Sequence, residues 1–98
     1  ETAARYVEFF KGKEDITFFT EPADCKSNYW LNAVVLKDKA AQLDFLEYTN
    51  DHGVMTRPVW ELMNRLPMFE HCETDGLENT EWLADRVVNI PSSVRLDK

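Results

Sequence analysis

Apolar residues recur along this chain in two rhythms, and the places where the rhythm changes outline the elements. Ala3, Tyr6, Val7 and Phe10 fall at i, i+3, i+4 and i+7, which predicts an amphipathic helix over 2–11, stopped by Gly12. Ile16-Thr17-Phe18-Phe19 is a short β-type run closed by Glu21-Pro22, and residues 22–28 form a polar loop. Tyr29 to Leu36 then reads as the main strand. Its alternating sets are Tyr29, Leu31, Ala33, Val35 and Trp30, Asn32, Val34, Leu36. Both are largely apolar, so both faces are expected to be covered, at least in a parent protein.

Asp38 caps a helix over 39–52, with Ala40, Leu43 and Leu46 facing inward, Ala41 and Phe45 beside them, and Gly53 ending it. Val54 to Trp60 predicts a second strand, which Pro58 confines to an edge or a strand end. Glu61 to Phe69 is a connector, irregular or a short helix, and 70–78 is a polar loop containing Gly76. Asn79 caps a helix to about Arg86, with Glu81 well placed near its positive end. Val87 to Ile90 is a last strand, stopped by Pro91. The sum is a small two-layer α/β domain: three to four strands in a mixed sheet with helices packed on it. Strand, helix, strand from Tyr29 to Trp60 is one crossover unit, right-handed if its strands are parallel.

The bulk numbers narrow the function classes. A chain of 98 residues is one domain, and 44% hydrophobic content is enough for one modest core. The formal charge is −7. Eleven Lys and Arg scattered among eighteen Asp and Glu form no cationic cluster, which argues against nucleic acid and against an acidic membrane surface. No apolar run is long enough to span a bilayer. Cys25 and Cys72 are too few for a disulfide scaffold and read as reduced thiols of a cytoplasmic protein. The first helical pattern starts at once, with no cap and no leader, and so looks cut from something longer.

Candidate chemistry centres on Gly53-Val54-Met55-Thr56-Arg57-Pro58-Val59-Trp60. Arg57 stands where a strand leaves the sheet, beside a proline that fixes the local backbone. It can act as a planar clamp for a carboxylate or phosphate, or it can be a surface arginine paired with an acid; spacing alone does not choose. Trp60 suits a cleft wall, whereas Trp30 reads as core. Ser27, Asn28 and Tyr29 enter the main strand, and from pattern alone the first two are loop caps rather than ligand contacts. His52, His71, Cys25 and Cys72 lack the paired spacing of a metal site. Neither cysteine sits in a cationic turn that would make it a nucleophile.

Three stretches carry a resemblance: SNYWLNAVVL, NDHGVMTRPVWELMNRLPMF and ENTEWLADRVVNIPSSV. In this order they resemble the C-terminal small domain of the DegT/StrS-type aminotransferases, on the legionaminic, pseudaminic and perosamine-like branch. The resemblance runs over nearly the whole chain. It implies a single C-terminal small domain, residues 1–98, of a fold-type I enzyme near four times this length. An N-terminal large domain would carry the Schiff-base lysine, the acid facing the pyridine nitrogen and most phosphate contacts for pyridoxal phosphate. The parent would be a homodimer moving an amino group from glutamate to a keto-sugar nucleotide, and this portion alone would be inactive. None of the lysines here sits in the family's lysine motif, so no catalytic residue carries over.

Residue by residue, the resemblance assigns Arg57 to the substrate and puts Trp60 in the aromatic or imidazole place after it. Asn64 stands where the family often has a histidine, and Ser27, Asn28 and Tyr29 match the strand entry near the cofactor. Two other classes remain: a stand-alone α/β binding module for a small anionic ligand, and a structural interaction domain. The uncapped first helix and the two-sided apolar strand weigh against the first of these.

Overall fold

The alternation at the centre of the chain builds the sheet. The computed structural model describes residues 1–93, in which α1 (Thr2–Phe10), β1 (Ile16–Phe18), β2 (Asn32–Leu36), α2 (Lys39–Asp51), β3 (Arg57–Pro58), α3 (Glu78–Ala84) and β4 (Val87–Ile90) follow in order, with a 3₁₀ turn at Met63–Arg65. Val94, the last residue of the third matching stretch, and Lys98 lie outside the described residues.

The four strands form one sheet in the order β1-β2-β4-β3. The α/β layer is as expected; the mixed pairing is not. β2 pairs antiparallel with both β1 and β4, and β4 antiparallel with β3. β2 and β3 do run parallel, as a strand-helix-strand unit would have them, but β4 is inserted between them. The parallel relation that the strand-helix-strand unit creates therefore carries no hydrogen bonds.

Register sorts the side chains into two faces, because directly opposed residues point the same way. Phe18, Val34 and Val88 lie in one row across β1, β2 and β4, flanked by Leu36 and Ile90, and these five form the buried core. Burying each such side chain contributes about 1.5–3 kcal/mol. Ala3, Tyr6 and Phe10 of α1 and Ala41, Phe45 and Leu46 of α2 pack against that cluster, so both helices cover the same face. On the other face lie Thr17, Ala33, Val35, Val87 and Asn89, none of them buried. The expectation that both faces of β2 are covered holds for one face only within the described residues.

Four local expectations shift for identifiable reasons. β2 starts at Asn32 rather than Tyr29. Ser27 Oγ accepts from the Tyr29 N–H at 2.9 Å and Asn28 Oδ1 from the Trp30 N–H at 3.0 Å. These two turns draw the backbone out of the ladder, Tyr29 adopts a positive φ of 52°, and Trp30 is 77% exposed rather than core. On α2, Ala40 and Leu43 are exposed and Gln42 is the buried residue. A polar side chain there is invisible to apolar periodicity. Gln42 Nε2 donates to Ala84 O and Val87 O at 3.0 and 2.9 Å, tying α2 to the α3–β4 link.

The second predicted strand contracts to Arg57–Pro58, because Pro58 has no N–H to extend the ladder. α3 is capped at Leu77, in the left-handed region at φ 53°, and Asn79 lies inside the helix. The Asp75 side chain accepts from the Leu77 N–H at 3.0 Å and sets that start. Asp38 and Gly53 behave as read: Asp38 Oδ1 accepts from the Ala41 N–H at 2.8 Å, and Gly53 takes φ 83° just past α2. No helix among the described residues is long and apolar enough to cross a membrane.

Candidate functional site

Arg57 is presented by the shortest strand of the sheet. Its backbone opposes Asn89 on β4, which opposes Ala33 on β2. The Phe19 N–H donates to Ala33 O at 2.9 Å, so Phe19 continues the row. Phe19, Ala33, Asn89 and Arg57 thus cross the open face of the sheet as one line, with the cation at its end. Among the described residues Arg57 makes no side-chain hydrogen bond and pairs with no carboxylate.

The contrast with Arg86 is informative. Arg86 donates to Lys37 O and Trp82 O at 3.2 and 2.9 Å and stacks on the Trp82 ring at 4.3 Å. That guanidinium is absorbed into the fold. Arg57 keeps its donors exposed, and two large apolar side chains close to it in sequence are exposed as well: Met55 at 70% and Trp60 at 91%. A cation framed by uncovered apolar surface suits an anionic ligand with a flat or apolar body.

The other sequence candidates do not converge on Arg57. Ser27, Asn28 and Tyr29 lie in the loop that enters β2, where Tyr29 packs on Phe18 of β1, whereas Arg57 stands on β3 at the opposite edge of the sheet. Ser27 and Asn28 accept the turn hydrogen bonds described above, as loop caps do. The Tyr29 hydroxyl accepts from the Glu21 N–H at 2.8 Å, and its ring packs on Phe18. Asn64 sits in the 3₁₀ turn and lines a separate open pocket of about 300 Å³ with Leu62, Phe69, Cys72 and Leu77. Trp60 follows β3 closely and shares the Arg57 flank.

Three residues that sequence reasoning passed over lie directly behind Arg57: Thr49 and Asn50 at the end of α2, and the buried Thr56. Their hydroxyls and amide bond to one another, and nothing in the spacing of a threonine and an asparagine near a helix end announces this. Asn32 is a second missed residue. It is 1% exposed, and its Oδ1 meets no donor among the described residues.

Lys13 lines a pocket of about 390 Å³ under α1, with its Nζ 4.7 Å from the Phe9 ring. That pocket offers no carboxylate to face a pyridine nitrogen and no row of N–H donors to cradle a phosphate. No group of three or more His, Cys, Asp or Glu is placed to hold a metal ion among the described residues.

The model of the DegT/DnrJ/EryC1/StrS aminotransferase family matches residues 1–98. The structure is similar to that of the aminotransferase TlmJ from Streptoalloteichus hindustanus, with a TM-score of 0.78 at 20% identity. It is also similar to the sugar aminotransferase CalS13 from Micromonospora echinospora, with a TM-score of 0.72 at 24% identity. Each comparison covers 91% of this chain, but only 24% and 23% respectively of the solved chains. The chain thus spans about a quarter of the length of those structures. None of the curated proteins matches.

Proposed function

We propose, starting from the fact that this chain belongs to the DegT/DnrJ/EryC1/StrS aminotransferase family, that it is the small domain of a transaminase acting on a keto-sugar nucleotide with glutamate as amino donor. The observation that carries the reading is the family match over all 98 residues together with a span of only a quarter of similar enzymes. Pyridoxal phosphate would act as the electron sink. In this reading its lysine, its acid and its phosphate cradle belong to a large domain outside this chain; the pocket that Lys13 lines offers neither the acid nor the cradle. The intact protein works as a cytoplasmic homodimer in this reading.

Within that frame, this chain forms one wall of a cleft. Arg57 binds an anionic part of the substrate through its exposed guanidinium, and Trp60 covers an apolar or planar part beside it. Asn64, in its separate pocket, is a weaker substrate contact, and Ser27, Asn28 and Tyr29 hold the far edge of the wall.

The test has two arms. Intact protein supplied with pyridoxal phosphate, glutamate and a keto-sugar nucleotide should release 2-oxoglutarate and an amino sugar nucleotide. The 98-residue chain, mixed with pyridoxal phosphate alone, should show no absorbance band of bound cofactor. A band from the short chain, or no turnover by the intact protein with any keto-sugar nucleotide, would overturn the assignment. Tight binding of a small anion by the short chain in the absence of turnover would favour the stand-alone binding module.

A further inference from the structure

A strand of two residues is not held by its own ladder. β3 has a single non-proline residue, Arg57, to pair with β4, and edge strands this short fray readily. Yet the backbone at Arg57 must hold one orientation if its guanidinium is to meet a ligand. The support comes from behind. Asn50 Nδ2 donates to Thr56 Oγ1 at 3.1 Å and to Thr56 O at 3.2 Å, and Thr49 Oγ1 lies 2.6 Å from Thr56 Oγ1. Thr49 Oγ1 also reaches Phe45 O at 2.8 Å, and Asn50 Nδ2 reaches Leu46 O at 2.8 Å.

The donor inventory sets the direction of this chain. Carbonyls only accept, so the Thr49 hydroxyl donates to Phe45 O. The Thr56 hydroxyl must then donate to Thr49 Oγ1, and it accepts from the Asn50 amide. The chain runs Asn50, Thr56, Thr49, Phe45 without a break, while the two Asn50 amide protons are shared among Thr56 Oγ1, Thr56 O and Leu46 O, and the Thr49 hydroxyl also lies 3.3 Å from Leu46 O. Thr56 is 3% exposed, so its end of these bonds is shielded from water, while Thr49 is half-buried and Asn50 exposed. Hydrogen bonds of this kind fix angle as well as distance, which apolar packing does not.

We propose that Thr49, Asn50 and Thr56 are positioning residues for Arg57: a polar latch from the end of α2 that holds the β3 backbone and aims the guanidinium. The substrate role of Arg57 rests on the function proposed above; the latch itself does not. Thr49→Val keeps the shape and removes the hydroxyl, and Thr49→Ser keeps the hydroxyl.

The first readout is hydrogen exchange in the intact protein. In Thr49→Val, amides of the segment around Arg57 should exchange about five- to thirtyfold faster, while those around Val34 and Val88 are unchanged. Thr49→Ser should restore the wild-type rate. Unchanged exchange at Arg57, or an equal acceleration throughout the sheet, overturns the latch.

The second readout is kinetic. Thr49→Val should raise KM for the amino acceptor with little change in kcat, and should add nothing in an Arg57→Ala background. An additive loss in that background, or an unchanged KM despite faster exchange, overturns the positioning role. If Arg57→Ala itself leaves KM unaltered, the substrate reading of Arg57 falls, while the exchange arm still judges the latch.

Discussion

The two edges of the sheet are held by opposite means. At the β1 edge the grip is apolar: the Tyr6, Phe10 and Tyr29 rings lie 5.6, 6.3 and 6.2 Å from the Phe18 ring. At the β3 edge it is polar, made of two hydroxyls and an amide around Thr56. Ring packing tolerates small rotations and returns much free energy. A directional hydrogen-bond chain returns less but fixes orientation. The first edge therefore keeps the domain folded, and the second keeps one cation aimed outward. The two should separate cleanly under mutation.

The largest effect is expected at the apolar edge. Phe18→Ala should cost about 3–5 kcal/mol of stability, measured by denaturant unfolding, because three rings and Val34 lose their common partner. A cost under about 1 kcal/mol would mean that the aromatic edge carries no more than the polar one. Arg57→Ala tests the opposite edge and should do the reverse. Stability should move by less than about 0.5 kcal/mol, while kcat/KM for the amino acceptor falls by an amount equivalent to about 1.5–3 kcal/mol. Intact kinetics together with lost stability would make the arginine structural.

Gln42 sits between the edges and sharpens the distinction. Gln42→Ala strands the Ala84 and Val87 carbonyls and should cost about 1–3 kcal/mol, read as a lowered Tm. The smallest change is expected from Tyr6→Phe, at about 0.5–1.5 kcal/mol, through loss of the 2.6 Å bond from its hydroxyl to Pro91 O. Burial raises the Tyr6 phenol above its ordinary 10.0, so the folded protein holds this proton more tightly than the unfolded chain does. The contribution is complete below about pH 10 and is lost as pH rises from there through the folded value. Tyr6→Phe should flatten that alkaline loss; an unchanged alkaline limb would assign it to other groups.

Legibility in the sequence followed the same divide. Where one residue's own chemistry decides the structure, the reading held: Asp38 capped its helix, Gly53 ended it, and Pro91 stopped β4. Strand β4 itself came through because Val87, Val88 and Ile90 make a short β-branched apolar run that Pro91 ends. Where neighbours compete for one backbone, it slipped. The Ser27 and Asn28 side chains took the Tyr29 and Trp30 N–H groups, which an apolar run assigns to a ladder. Gln42 turned the inner face of α2 away from Leu43, since a buried amide counts as polar in any periodicity.

The insertion of β4 between β2 and β3 is a long-range choice, and no local pattern encodes it. Of the candidate site, Arg57 and Trp60 could be singled out from the sequence because a proline beside the arginine marks a strand end, though spacing alone left the arginine's role open. Thr49, Asn50 and Thr56 were not, because each looks like ordinary surface until the helix end and the strand are brought together.

The place of β4 has a consequence for how the chain comes into being. It is the fourth strand to be synthesised, yet it joins β2 to β3. Until Val87 to Ile90 have left the ribosome, β3 has no strand to lie against and Val34, in the middle of the central row, lacks Val88 beside it. The elements made earlier must therefore wait, partly collapsed, for β4 to slot home. A translational pause just before that segment would prolong the wait and invite the nascent domain to clump.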